Sequence, residues 1–288
     1  MNDSPLDRRP PEEAFALLGN ELRLRIVRAL SEADQPLTFT ALRERVEERD
    51  SGRFNYHLGK LDGWFVSRCE EGYQLTYAGR QVVGAVISGA YNGAVRFDPI
   101  TLDDPCPECG DRQLEVSNES ELIVISCHRC ENWRLQFPFP PGTVSQFDRE
   151  ELPTALSRWL RLTVDRLFAG FCENCGGRID GRYEDLEEED DPVLLVYECP
   201  RCHYEAQVTA DQPLIAHRVG SAFFADHGYE PEATPFWQLH AAIEGRSIEV
   251  GDASDGRKVT VTLQIDDELL TATIGPDLTF ESIERRTA

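Results

Sequence analysis

SGRFNYHLGKL, residues 51–61, places Phe54, Leu58 and Leu61 at i, i+4 and i+7. That spacing sets three apolar side chains on one face of a helix. Arg53, Asn55, Tyr56 and Lys60 are left to face outward. Those are suitable groups for a nucleic-acid major groove. Arginine forks onto guanine, asparagine onto adenine, and lysine reaches a phosphate or a guanine. The stretch predicts a helix over roughly 52–62, capped by Asp50-Ser51. Ser51 is expected to meet a phosphate together with the helix N-terminus. His57 reads equally well as a base contact or as a packing histidine with one satisfied nitrogen.

The flanks extend this reading. Phe15, Leu18, Leu22, Ile26 and Leu30 recur at helical spacing, interrupted by Gly19-Asn20. A short helix, then a longer one capped near Asn20, is expected. Thr38 and Thr40 are candidate caps for a helix over 40–48, with Leu42 and Val46 inward. Residues 64–69 and 73–76 read as two strands, with Glu70-Glu71-Gly72 as the turn. Three helices followed by a β-hairpin is the winged helix-turn-helix plan. Arg68 in the wing is expected to touch the backbone or the minor groove. Tyr73 and Tyr77 read as core or hairpin-face aromatics, and Cys69 as a small buried apolar residue. Residues 78–94 read as a further helix whose small residues suit close packing against another helix.

The stretch LLGNELRLRIVRAL, continuing through LTFTALRERVEERDSGRFNYHLGKLDGWFVSRCEEGYQLTYAGRQVV, resembles the ArsR-like winged-helix transcription regulators of halophilic archaea. DSGRFNYHLGKL followed by EEGYQLTYAG carries most of the likeness, which covers about residues 12–95. The resemblance implies an operator-binding dimer. The metal-sensing members of that family place a cysteine pair in the helix before the recognition helix. Residues 40–48 contain none, so heavy-metal sensing by that route is not expected. The remainder of the chain resembles the zinc-containing extensions of some archaeal regulators.

Eight of the nine cysteines form four C-x-x-C pairs. Cys106, Cys109, Cys127 and Cys130 make one set; Cys172, Cys175, Cys199 and Cys202 make the other. The pairs within each set are separated by 17 and 23 residues, enough for a two-strand excursion. Without a secretory leader, this spacing reads as metal binding rather than disulfides. Zinc takes four thiolates in a tetrahedron, and a full shell leaves no position open for catalysis. Two structural zinc-ribbon-like sites are therefore expected, with disulfide switching or an iron–sulfur centre as the alternatives. Gly110 and Gly176 follow a second cysteine, where a tight turn benefits from a missing Cβ. His128 and His203 are expected on the knuckle surface rather than as ligands.

Composition narrows the function. The chain has 288 residues, 29 basic and 52 acidic side chains, and a net charge of −23. Lysine occurs only at 60 and 258. An acidic, lysine-poor surface resembles proteins that work in molar cytoplasmic salt, where the screening length is about 3 Å. The charge is uneven: residues 1–98 carry a net −2 and residues 99–288 a net −21. A phosphate backbone is tolerated best near the N-terminus. The weakly polar run Val82–Tyr91 falls short of the ~20 residues of a membrane span. A cytoplasmic, soluble protein with no membrane partner is expected.

The fold class expected is α+β. A winged helix-turn-helix with a dimerisation helix occupies 1–98. A first ribbon-like unit follows over 99–147, a connecting helix over 148–170 and a second ribbon-like unit over 171–211. A C-terminal helix with a small antiparallel sheet completes 212–288. One helix is expected from Pro213 to about Asp226, and a short one within 235–244. The acidic run Glu184–Asp191 reads as a solvated loop rather than a carboxylate site. No His-Glu metal motif, nucleophile elbow or phosphate-binding glycine loop is present, so no enzymatic activity is expected. The sequence points to a sequence-specific regulator, probing double-stranded DNA as a homodimer on a two-fold operator. The alternatives are a protein-interaction module of the transcription machinery and a redox-responsive regulator using its C-x-x-C pairs. A small-molecule effector or a polymerase contact stays open.

Overall fold

The computed structural model describes residues 10–91, 93–130, 132–186, 193–254 and 256–287. Most of the acidic run, residues 187–191, lies outside them. The chain forms two compact units: residues 1–94 with 140–142, and residues 95–139 with 143–288.

The first unit runs α1 (Pro11–Leu18), α2 (Glu21–Ser31), α3 (Phe39–Arg45), α4 (Ser51–Leu61), β1 (Val66–Cys69), β2 (Gly72–Leu75) and α5 (Tyr77–Ile87). Side-chain caps set the helix starts. Asn20 accepts from the Arg23 N–H at 3.2 Å, and Thr38 from the Ala41 N–H at 3.3 Å. Thr38, not Thr40, is the cap of α3, which is shorter than expected. Asp50 caps α4, and Thr76 caps α5. Leu22, Ile26, Leu42, Phe54, Leu58 and Leu61 are at most 2% exposed and form the centre of this core. Each such side chain contributes about 1.5–3 kcal/mol by leaving water. Strands β1 and β2 pair antiparallel, and Leu37 bridges Tyr73 on the free side of β2.

Three expectations need correction here. The helix read over 78–94 stops at Ile87, because Gly89 turns the chain at φ +75°. Tyr73 is buried as expected, but Tyr77 is exposed. Cys69 is half-buried, its thiol 3.5 Å from the Gly72 carbonyl oxygen.

The second unit contains β3 (Ile100–Leu102), β4 (Leu114–Glu119), β5 (Leu122–Cys127), β6 (Arg134–Pro138), α7 (Leu152–Phe168), β7 (Asp180–Asp185), β8 (Val193–Glu198) and β9 (Glu205–Thr209). The short helix α6 (Pro141–Val144), whose first two residues fall in the first unit, precedes α7. Then come α8 (Gln212–Ala216), α9 (Arg218–Asp226), α10 (Phe236–Ala241), β10 (Gly245–Ala253), β11 (Gly256–Ile265), β12 (Glu268–Ile274) and β13 (Phe280–Thr287). All three sheets are antiparallel and follow chain order: β3-β4-β5-β6, β7-β8-β9 and β10-β11-β12-β13. The last sheet matches the alternation read in the tail. In β11, Val259, Val261, Leu263 and Ile265 turn inward.

One continuous apolar core runs through this unit, from Leu114 and Ile123 through Leu156 and Val164 to Leu263 and Ile274. Polar ties accompany it. The Asp104 carboxylate accepts from the Trp237 indole N–H at 2.6 Å, and the Tyr183 hydroxyl donates to the Gly275 carbonyl at 2.7 Å. The helix expected from Pro213 onward is two helices. The chain breaks at His217, which is extended at ψ 148°, and its Nδ1 accepts from the Val219 N–H to cap α9. Among the described residues no helix is long and apolar enough to cross a membrane.

Candidate metal centres and nucleic-acid interface

The two cysteine sets come together as two clusters. In the first, Sγ–Sγ separations are 3.8 Å for Cys106–Cys130 and 3.7 Å for Cys109–Cys127. In the second they are 3.6 Å for both Cys172–Cys202 and Cys175–Cys199. All four sulfurs of each set lie within 4.8 Å of one another. Disulfides require about 2.05 Å. A tetrahedron with metal–sulfur bonds of about 2.3 Å has edges of about 3.8 Å. The donors therefore fit a single soft cation in each cluster.

The local fold explains the convergence. Each first knuckle precedes a strand (β4 or β7), and each second knuckle sits between the next two strands. The knuckles share a backbone pattern. Gly110 N–H donates to the Cys106 carbonyl at 2.9 Å, Gly176 to Cys172 at 3.0 Å, and His203 to Cys199 at 2.9 Å. Those three residues have φ of +71°, +66° and +59°. The glycines serve as expected. His203 fills the same turn position and is exposed, so its role is in the turn rather than in ligation. His128 stands on the surface, 3.3 Å from the Glu115 carboxylate. The two clusters also share one burial order: first and third cysteines buried, second exposed, fourth intermediate.

Within each cluster the thiols differ in acidity. Burial pushes Cys106 and Cys172 up to about 12. At Cys202 the Tyr204 backbone N–H leads in holding the thiol down to about 6. At Cys130 burial opposes ionisation, but the N–H groups of Trp133 and Asn132 and the neighbouring thiols prevail, at about 7. A bound cation favours the thiolate at all four positions.

Helix α4 distributes its residues as its periodicity requires. Ser51, Arg53, Asn55, Tyr56 and Lys60 are exposed, while Phe54, Leu58 and Leu61 are buried. Arg53 stands 3.5 Å from the Glu48 carboxylate, whose other oxygen accepts from the Asp50 N–H at 3.0 Å. Lys60 lies over the Tyr56 ring, 5.6 Å from its centroid. His57 is half-buried, and its Nδ1 is buried without a hydrogen-bond partner. Burial, followed by the nearby Arg23 and Arg53 charges, lowers its pKa. The satisfied nitrogen expected of a packing histidine is not found at Nδ1.

Two geometric details differ from expectation. The Asp50 carboxylate accepts from the Gly52 and Arg53 N–H groups at 2.8 and 3.0 Å. The start of α4 thus already has an anion on it, so Ser51 offers its hydroxyl and not a free helix terminus. Arg68 donates to the Tyr73 hydroxyl at 2.7 Å and lies over that ring. It is held on the hairpin, and the hairpin tip carries exposed Glu70 and Glu71.

Sequence reasoning missed Glu48, which orients Arg53, and Arg49, exposed immediately before the α4 cap. It also missed the most buried charge among the described residues of the second unit. Asp211 is fully buried, 2.7 Å from His240 Nε2 and 3.3 Å from an Arg246 guanidinium nitrogen. Its partners lie 29 and 35 residues away in sequence, with no spacing signal joining them.

Fold and sites together define a two-unit α+β protein with two four-cysteine metal-binding clusters. The chain belongs to the family described as domain of unknown function DUF7351, whose model matches residues 103–280. A second model, domain of unknown function DUF7347, matches residues 11–86. No curated protein and no solved structure matches the chain.

Proposed function

We propose that this protein is a sequence-specific DNA-binding transcription regulator whose first unit is a winged helix-turn-helix. The observation carrying this reading is the outward row on α4: Arg53, Asn55, Tyr56 and Lys60 project around a fully buried Phe54–Leu58–Leu61 seam. The order α2, α3, α4 and then a β-hairpin is that of the motif, and α4 occupies the place of its recognition helix. The surrounding residues 1–98 are the least acidic part of the chain. Base contacts come from α4, with Ser51 and Arg49 on the flanking phosphates. The hairpin contributes less, because Arg68 is engaged by Tyr73 and the tip is acidic. The likeness to ArsR-like regulators of halophilic archaea supports the same assignment.

The protein acts in the cytoplasm as a homodimer on a two-fold operator. Exposed Ile87 and Tyr91, at the end of α5 and just beyond it, support this assembly by offering apolar surface to a second copy. Both clusters hold zinc, and each full sulfur shell makes its ion structural rather than catalytic. The test is selection of genomic fragments by the zinc-loaded protein in about 2 M KCl. An enriched motif with two symmetric halves one helical turn apart supports the reading. Absence of any enriched motif, with zinc content and folding verified, overturns it.

A further inference from the structure

We infer that an open groove of about 1400 Å³ in the second unit is a binding site for a small carboxylate with an apolar body. One wall is the outer side of α7, the other is α9, and residues 228–233 close one end. In a unit of net −21, the groove lining balances Arg158, Arg161 and Arg218 against Asp165, Glu230 and Glu232.

Arg161 is the centre of the argument. Its NH2 nitrogen is buried and has no hydrogen-bond partner among the described residues. Buried polar groups are nearly always satisfied, and a guanidinium nitrogen left alone is costly. A carboxylate oxygen is the acceptor that fits its geometry. Asp165 and Glu232 act on the Arg161 charge, but neither gives its NH2 nitrogen a hydrogen bond. At Asp165, one turn along α7 in the same groove, burial pushes the carboxyl up and the Arg161 charge opposes that shift. At Glu232 it is the backbone carbonyl that is engaged, accepting from Arg158 Nε at 3.0 Å. The rest of the lining supplies the apolar part. Leu162 is 65% exposed at the groove, and Ala222, Ala225 and Tyr229 face it. The groove thus sets an apolar strip beside charged and polar side chains, and the volume admits a ligand of drug size.

Service as an effector site rests on the regulator reading; binding itself does not. The experiment is therefore done without DNA, on the full-length zinc-loaded protein, by calorimetry in about 2 M KCl. The probes are benzoate and octanoate, with benzamide as the uncharged counterpart and inorganic phosphate as the anion without an apolar body. Saturable benzoate or octanoate binding is expected, with benzamide and phosphate at least about tenfold weaker, one charged hydrogen bond's worth. Arg161→Gln should weaken the carboxylate by a similar factor. Leu162→Asp, at an exposed position that folding does not use, should do the same by repulsion. No saturable carboxylate binding at millimolar concentration overturns the inference. So does benzamide or phosphate binding as well as benzoate, or equal binding by both variants. If benzoate binds but no genomic motif is enriched, the site stands and the regulator reading falls.

Discussion

Arg53 and Asp211 show what a single residue does in each unit. The Arg53 guanidinium is exposed but paired with Glu48, so in the proposed role it would meet a base edge with part of its conformational freedom already lost. Asp211 is the opposite case, a carboxylate at 0% exposure. Burial alone would raise its pKa, but His240 and then Arg246 outweigh burial and hold it well below the usual range. The folded value therefore lies under the unfolded value of about 3.9. The resulting stabilisation is complete above about pH 4 and is lost as the pH falls further. Asp211→Asn is expected to destabilise the second unit by about 3 kcal/mol at neutral pH, since it takes a buried counter-charge away from half-buried Arg246 and disturbs the bond to His240. It should also flatten the loss of stability below about pH 4. Denaturant titrations across pH check both, and a wild-type-like acid profile in the variant would refute this account of Asp211. The sequence made Arg53 visible because helical periodicity sorts inward from outward residues within eleven positions. Asp211 was invisible because β9, α10 and β10 bring its partners together only in the folded chain.

Among elements, helix α4 and the two cysteine-bearing sheets were legible for different reasons. An i, i+4, i+7 apolar pattern ending at a polar cap has few other solutions, and Phe54, Leu58 and Leu61 are buried as it requires. Cutting Phe54 to Ala should cost the first unit about 3–5 kcal/mol through the cavity it leaves. Denaturant unfolding followed in the first unit measures this, and a change below 1 kcal/mol would contradict the packing described. The cysteine spacing gave both clusters, but not β3 and β6, which at three and five residues are too short to stand out. Nor did it give the deep burial of the strands. The two ribbon-like units contribute Leu114, Val116, Ile123, Ile125, Val193 and Leu195 to one large core. The cysteine clusters and the core thus belong to the same structure. Cys106→Ser and Cys172→Ser should each lower bound zinc from two ions per chain to one, measured by native mass spectrometry. Retention of two ions in either variant would dissociate that cysteine from its site. The α5 boundary and the break at His217 were illegible because a glycine turn and a local histidine cap end helices whose apolar pattern continues.

Over the whole molecule, charge and its distribution dominate. A net −23 carried mostly by residues 99–288 makes the folded chain repel itself in dilute buffer. Thermal unfolding of the second unit should shift upward between about 0.1 M and 2 M KCl, as the screening length falls from about 10 Å to under 3 Å. A flat or falling midpoint would show that its many carboxylates are not under strain. The same salt weakens phosphate contacts by suppressing counterion release, so a reader of DNA in such conditions depends on direct base contacts. That places the burden on α4. The most direct measurement compares wild type with Arg53→Ala on a duplex carrying the selected motif and on its scrambled counterpart, in about 2 M KCl. The account predicts that the preference for the motif falls by about tenfold or more, equivalent to about 1–3 kcal/mol, while affinity for the scrambled duplex barely changes. An unchanged preference in a folded, zinc-loaded variant would contradict DNA reading by α4.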